Sequence, residues 1–165
     1  METRTITTLQ PSLEEFKRHL RITSNDLDDE LTAKLKAAVN MAEHEISAVI
    51  SVSSFKLTRD FAHSIPLRWP TTEVASVKVD GESALPAEKY SFSESTLTID
   101  SDVHGDKVEV EYTAGLADAP EDIKAAVLLL GANIFNNPVD HPEERDRTSA
   151  RNLLRPYRTW GERRG

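Results

Sequence analysis

The hydrophobic period of this chain changes twice, and each change marks a switch in secondary structure. Between positions 27 and 49 the residues Leu27, Leu31, Leu35, Ala38, Ala42, Ile46 and Val49 recur at intervals of four, four, three, four, four and three. That spacing keeps side chains on one face of a helix with 3.6 residues per turn. From Phe55 the interval drops to two, with Phe55, Leu57, Arg59 and Phe61 alternating with polar neighbours, as in a half-buried strand. Helical spacing returns at Ile123, Val127, Leu130 and Ile134. The chain therefore reads as helices, then strands, then helices.

Local signals place the element ends. Ser12 and Glu15 stand three apart after Pro11, the pattern in which hydroxyl and carboxylate each satisfy the other's backbone N–H. Leu13, Phe16 and Leu20 then predict a short amphipathic helix running to about Arg21. Asp26, Asp28, Asp29 and Glu30 crowd the start of the long helix, where the positive end of the macrodipole favours carboxylates. In the strand region, Val74 to Val79 ends at Asp80-Gly81, a turn signal, and Tyr90 to Phe92, Leu97 to Ile99 and Val108 to Tyr112 are further short strands. Five or six strands are expected, paired mostly as local antiparallel hairpins with one face covering a helix. Pro120, Glu121 and Asp122 open the third helix, which Asn137-Pro138 ends. Its apolar residues cover most of its circumference, as for a central helix. A charged loop over 138–147, expected to be mobile before assembly, precedes a last short helix, Ser149 to Leu154.

These elements predict an α+β fold. Two N-terminal helices, one central apolar helix and a short C-terminal helix form a small bundle, with an antiparallel β region inserted at about 55–112. A length of 165 residues suits one compact domain. The expected division is a single domain over 1–150 and a basic tail over 151–165. The polar N-terminus, Met1 to Gln10, carries no strand or helix prediction. No apolar run reaches the roughly 18 residues of a membrane span, so a protein made in the cytoplasm is expected.

Charge divides the chain more sharply than its total of -8 indicates. Residues 145–165 hold seven arginines against Asp146 and Glu162, a surplus of +5, which leaves -13 on the other 144 residues. An acidic body repels duplex DNA while a basic, aromatic end attracts carboxylates or phosphates.

Side chains that would carry catalysis do not converge in the sequence. There is no cysteine, hence no disulfide, thiolate ligand or thiol nucleophile. The histidines His19, His44, His63, His104 and His141 are scattered, without the two-histidine helix spacing of a zinc site. Glu43, His44 and Glu45 are consecutive, so on a helix they point in different directions. No strained serine elbow occurs. The six glycines are isolated from one another, unlike a phosphate cradle. No catalytic, cofactor-binding or metal-binding residue is assigned, and no enzyme activity is expected.

Three stretches together resemble the head-tail connector family of tailed bacteriophages, also called adaptor or head-completion proteins. The first is Phe16-Lys17-Arg18-His19-Leu20-Arg21-Ile22, then Asn25-Asp26-Leu27-Asp28-Asp29 and Ala37-Ala38. The second is Val108-Glu109-Val110-Glu111-Tyr112-Thr113-Ala114-Gly115-Leu116 with Pro120-Glu121-Asp122-Ile123-Lys124-Ala125-Ala126-Val127. The third is Leu153-Leu154-Arg155-Pro156-Tyr157-Arg158-Thr159-Trp160. Two places depart from the family pattern: Ser47 to Ser54 is a serine and valine run where relatives carry a Thr-Gly-Arg-like turn, and Asn136-Asn137 stands where relatives have Glu-Asn-Arg.

The resemblance implies a structural subunit of the virion neck, between head and tail, made in the bacterial host. It implies a homo-oligomeric ring of about a dozen copies below the portal, which extends the DNA channel and offers a platform to a tail-side neck protein. DNA would pass without sequence-specific binding, and no membrane or cofactor is involved. Arg155, Tyr157, Arg158 and Trp160, within a basic stretch from about Asn152 to Arg164, are the expected portal contacts, being residue types enriched in binding hot spots. Folding of that end back onto its own core is the competing reading. Phe16, Leu20, Lys34 and Glu43 are the expected ring contacts. The alternatives are another neck component, such as a tail terminator or stopper, and a DNA-binding accessory protein that uses the arginine-rich tail.

Overall fold

The computed structural model describes the backbone over residues 1–137 and 144–160, with the side chains of these residues other than 144–148 and 159–160. Of the expected loop over 138–147, residues 138–143 lie outside the described residues, and 144–147 belong to the last helix, which starts at Glu144 and not at Ser149. The chain forms two compact units, one from residues 1–7 and 52–116, the other from residues 8–51 and 117 onward.

The first unit contains two sheets. Strands β1 (Glu2–Thr8), β2 (Val52–Asp60), β4 (Thr71–Val79) and β7 (Lys107–Ala114) form a four-stranded sheet in the order β1-β2-β7-β4. Strands β3 (Ser64–Pro66), β6 (Thr96–Ile99) and β5 (Tyr90–Ser93) form a three-stranded one in that order. β7 is the axis of the larger sheet. It runs antiparallel to β2 from Ser53↔Ala114 to Asp60↔Lys107, and antiparallel to β4 with register shifts at Thr71/Glu73 and Val74/Ser76. Alternation gives the sheet its faces. Val108, Val110, Tyr112 and Ala114 are buried, and Glu109 and Glu111 lie on the other side of the strand, where both meet Lys56. Phe55 stacks on Tyr112 with ring centroids 5.1 Å apart. The Tyr112 hydroxyl donates to Glu2 at 2.7 Å and accepts from the Arg68 N–H at 3.3 Å. Burial, and then the hydrogen bond to Glu2, push its pKa far above the usual phenol value.

The second unit is helical. It holds α1 (Leu13–Leu20), α2 (Asp28–Ile46), α3 (Glu121–Asn136), α4 (Glu144–Leu154) and a 3-10 segment, Arg155–Trp160. The expected capping box is present at the start of α1. The Ser12 hydroxyl accepts from the Glu15 N–H at 3.2 Å, and the Glu15 carboxylate accepts from the Ser12 N–H at 2.7 Å. α1 closes with Arg21 in the left-handed region (φ 59°), so that the N–H groups of Arg21 and Ile22 donate to the carbonyls of Arg18 and Lys17; glycine is the usual occupant of this position. α2 ends at Ile46, earlier than its apolar stripe predicts. Ser47 takes the left-handed conformation (φ 53°) there, in the run that departs from the family pattern. The stripe residues Leu31, Leu35, Ala38, Ala42 and Ile46 are fully buried. Phe16 is buried with them, its ring so close to Gly131 of α3 that a Cβ there would come within 2.8 Å of it. Gly131 is thus the position that lets α1 approach α3.

The expected fold class needs correction. The molecule is a mixed α/β fold in which two sheets of antiparallel strands are interspersed among helices, not a small helical bundle with a minor β insertion. Two physical reasons account for the error. The strand region buries a core of its own, Phe55, Ile65, Leu67, Val77, Val79, Leu97, Ile99, Val108, Val110 and Tyr112. Its pairing is also mostly non-local. β5 and β6 form a local hairpin, but β4, which ends at the Asp80-Gly81 turn, pairs with β7. A further strand, β1, came from the polar N-terminus.

Candidate functional site: the assembly surface

The residues expected to contact neighbours divide into those used by the subunit's own fold and those left at its surface. Phe16 is fully buried. Leu20 is half-buried at the end of α1. Lys34 lies 3.4 Å from Glu30 and 6.0 Å from the centroid of the Phe135 ring, tying α2 to α3. The Glu43 carboxylate accepts from the N–H groups of Ile50 at 2.8 Å and Ser51 at 3.2 Å, so it organises the turn after α2. Lys34 and Glu43 are both partly exposed.

The C-terminal residues follow directly from α4. Leu154 is buried, Arg155 is exposed, and Tyr157 is half-buried. The Tyr157 hydroxyl lies against Asp122, in the first turn of α3. Its pKa is raised, by burial first and by the neighbouring carboxylate second. Arg158 forms an ion pair with Glu45 of α2. The backbone of Trp160 closes the 3-10 segment, and its side chain lies outside the described residues, as do Arg163 and Arg164. The expected portal contacts Tyr157 and Arg158 therefore touch the subunit's own α3 and α2.

A cleft of about 200 Å³ opens beside this segment, lined by Met41 and Glu45 of α2, Leu130 of α3, and Ala150, Arg151 and Leu154 of α4. Its walls are mainly apolar. Glu45 is matched by Arg158, which leaves Arg151 as the charged lining residue with no ion pair to another described residue.

Two positioning residues were not singled out from the sequence. Gln10 is buried: its backbone N–H donates to the Ser51 hydroxyl at 3.0 Å, its amide N–H to the Ala117 carbonyl at 3.3 Å, and its amide oxygen accepts from the Ala119 N–H at 2.8 Å. Lys17 is 4 % exposed and donates to Asn25 at 2.6 Å and Asp28 at 2.7 Å. Lys17 and Asp28 both stand in the first resemblance stretch, so that stretch encodes a structural ion pair. No sequence signal marks Gln10, because its partners lie up to 109 positions away.

Among the described residues no group of histidine or carboxylate side chains could hold a metal ion, and no helix is long and apolar enough to cross a membrane.

No curated protein matches the chain. Solved structures do. A chain of a structure titled "Neck of empty GTA particle computed with C6 symmetry" superposes with a TM-score of 0.74 at 19% identity, covering 96% of this chain and 95% of that one. One from "Virion of native gene transfer agent (GTA) particle" gives 0.72 at 21% identity, covering 94% and 95%. One from "Neck of native GTA particle computed with C12 symmetry" gives 0.69 at 19% identity, covering 94% of each. At these identities the likeness shows the fold. The sequence itself supplies the family: residues 11–146 match the head completion protein family, and the chain belongs to that family of structural, non-enzymatic head-tail connector components of tailed phage-like particles.

Proposed function

We propose that this subunit joins copies of itself into a ring of about a dozen at the neck of such a particle. The ring lies below the portal, extends the DNA channel and offers a platform to the next neck or tail component. The family match over residues 11–146 carries this reading. The titles of the fold relatives, two of them necks and one computed with C12 symmetry, support it. An acidic body suits the role, because a channel that neutralised many phosphates would hold DNA by counterion release and slow its passage. The basic C-terminal segment turns towards the portal, with Arg155, Tyr157, Arg158 and Trp160 as contacts. Ring contacts run along α1 and α2, where Leu20, Lys34 and Glu43 reach the surface, and Phe16, buried in the subunit's own core, takes part only by holding α1 in place. Engaging the portal through Arg158 then exchanges its ion pair with Glu45 for an intermolecular one. That exchange costs little, since exposed pairs contribute only about 0.2–1 kcal/mol.

Light scattering of the full chain tests the proposal, alone and with its portal, beside a chain lacking Tyr157 to Gly165. A ring, or a monomer that joins the portal only when its C-terminal end is intact, is expected. A monomer indifferent to the portal overturns the reading.

A further inference from the structure

Rings close through heterologous contacts, in which two different patches of one subunit mate with each other on neighbouring copies. The geometry points to one such pair: Leu27 of one copy seats in the cleft between α2, α3 and α4 of the next. This inference rests on the connector reading and names its mating surfaces.

The cleft is the concave half. Met41, at its mouth, is 41% exposed, whereas Leu130, Ala150 and Leu154 behind it are buried, so an apolar side chain entering it would meet an apolar floor. In the free subunit, where Arg158 matches Glu45, the described lining keeps the positive charge of Arg151, and Arg155 follows one residue beyond Leu154. With Arg158 turned to the portal, Arg151 and Arg155 against Glu45 still leave one positive charge in surplus.

Leu27 is the convex half. It precedes the first turn of α2, is 39% exposed, and stands between Asp26 and Asp29, both exposed to solvent, with Glu30 next along and paired to Lys34. Phe92 of β5 is equally exposed but is flanked by Ser91 and Ser93. Compared with Phe92, Leu27 presents its apolar side chain in a negative surround, which complements a cleft whose surplus charge is positive. Position favours the same pair. Leu27 and Met41 lie near opposite ends of one helix, fourteen residues apart, about 20 Å at 1.5 Å per residue. A head-to-tail interface requires its two patches to be separated in this way, and a single subunit cannot satisfy both by folding on itself.

The absence of cysteine makes the test direct. A disulfide needs Cα atoms within about 7 Å, so Leu27→Cys and Met41→Cys in one chain cannot bridge internally. Under mild oxidation the double variant is expected to give a ladder of covalent oligomers. A mixture of the two single variants is expected to give a heterodimer, and each single variant alone a monomer. Reversing the cleft charges (Arg151→Glu with Arg155→Glu) should lower the ladder yield several-fold, and adding Asp29→Arg with Glu30→Arg should restore it. Rings by light scattering without a Leu27–Met41 cross-link overturn this inference and leave the connector reading standing. Dimers from Leu27→Cys alone also overturn it, because they mean a symmetric contact. A ladder that forms only after residues 161–165 are removed means that the chain's own end fills the cleft, and overturns it too. A chain that assembles in no form, with or without portal, overturns both readings.

Discussion

Helix α2 carries two attachments of opposite character. Near its start, α1 is fixed by Lys17, whose ammonium is withdrawn from water between Asn25 and Asp28, while fully buried Phe16 packs on Gly131 of α3. Towards its end, the Arg155–Trp160 segment is held by partly exposed side chains, the Arg158–Glu45 pair and half-buried Tyr157 against Asp122, behind the buried anchor of Leu154. The difference lies in what each contact costs to break. Removing α1 exposes fully buried apolar surface and strands a charge, whereas lifting the C-terminal segment returns to water side chains that already reach it in part. One helix thus carries a fully buried attachment at one end and a partly exposed one at the other.

The sharpest way to break the permanent attachment is through its ion pair, and its two halves are unequal. Lys17 is 5% exposed at the side chain and Asp28 35%. Asp28→Ala leaves a buried ammonium with only Asn25 as partner and should destabilise the fold by about 3 kcal/mol. Lys17→Met removes the buried charge and leaves a carboxylate that water can reach, so its cost should be well under half of that. Urea denaturation of the two variants measures the difference. Equal losses would mean that the pair acts as a surface bridge and that the contrast between the two ends of α2 is overstated.

A smaller effect comes from the cap of α1. The backbone N–H of Ser12, and then its hydroxyl, hold the Glu15 carboxyl below its ordinary pKa of 4.5, aided by Lys124 and Arg18. Because the folded-state pKa is depressed, the unfolded chain binds the proton more readily. The stabilisation is therefore complete above about pH 4.5 and is lost as pH falls through the folded-state value. Ser12→Ala should cost about 1 kcal/mol at neutral pH and progressively less towards pH 3, measured as the gap between the variant and parent urea midpoints. A gap that stays constant with pH would detach the cap from the stability of α1.

What the sequence revealed of these features follows their range. The Ser12–Glu15 box and the Pro120 helix start involve residues within four positions of each other, and both stand where the sequence places them. β1 is different. Its Thr3-Arg4-Thr5-Ile6 alternation has one apolar residue, and the strand forms only because β2, some fifty residues later, lies beside it. The axial pairing of β2 and β7 likewise joins positions 53–60 to 107–114, which no local period encodes, and a fold class read from local periods alone therefore understates the sheets. The candidate site shows the same limit. Apolar spacing places Phe16 on the sticky face of α1 but cannot say whether a neighbouring copy or Gly131 of the same chain covers it. Glu43 reads as a helix-face charge until the chain turns back and presents the Ile50 and Ser51 N–H groups to it.

The smallest expected effect on stability is the most informative about function. Arg158→Ala removes an exposed ion pair, and the two groups it separates are both reachable by water, so the free subunit should lose less than about 1 kcal/mol. Glu45→Ala should cost equally little. The two variants separate in binding. If the C-terminal segment exchanges partners on engaging the portal, Arg158→Ala removes a group needed in both states and weakens the complex, whereas Glu45→Ala removes only the competing intramolecular partner and should leave portal affinity unchanged or improved. Titration of portal into each variant reads this directly. Equal weakening by both would mean that the pair stays closed in the complex and presents the segment as a fixed surface, which would make the C-terminal end of α2 as permanent a partner as its start.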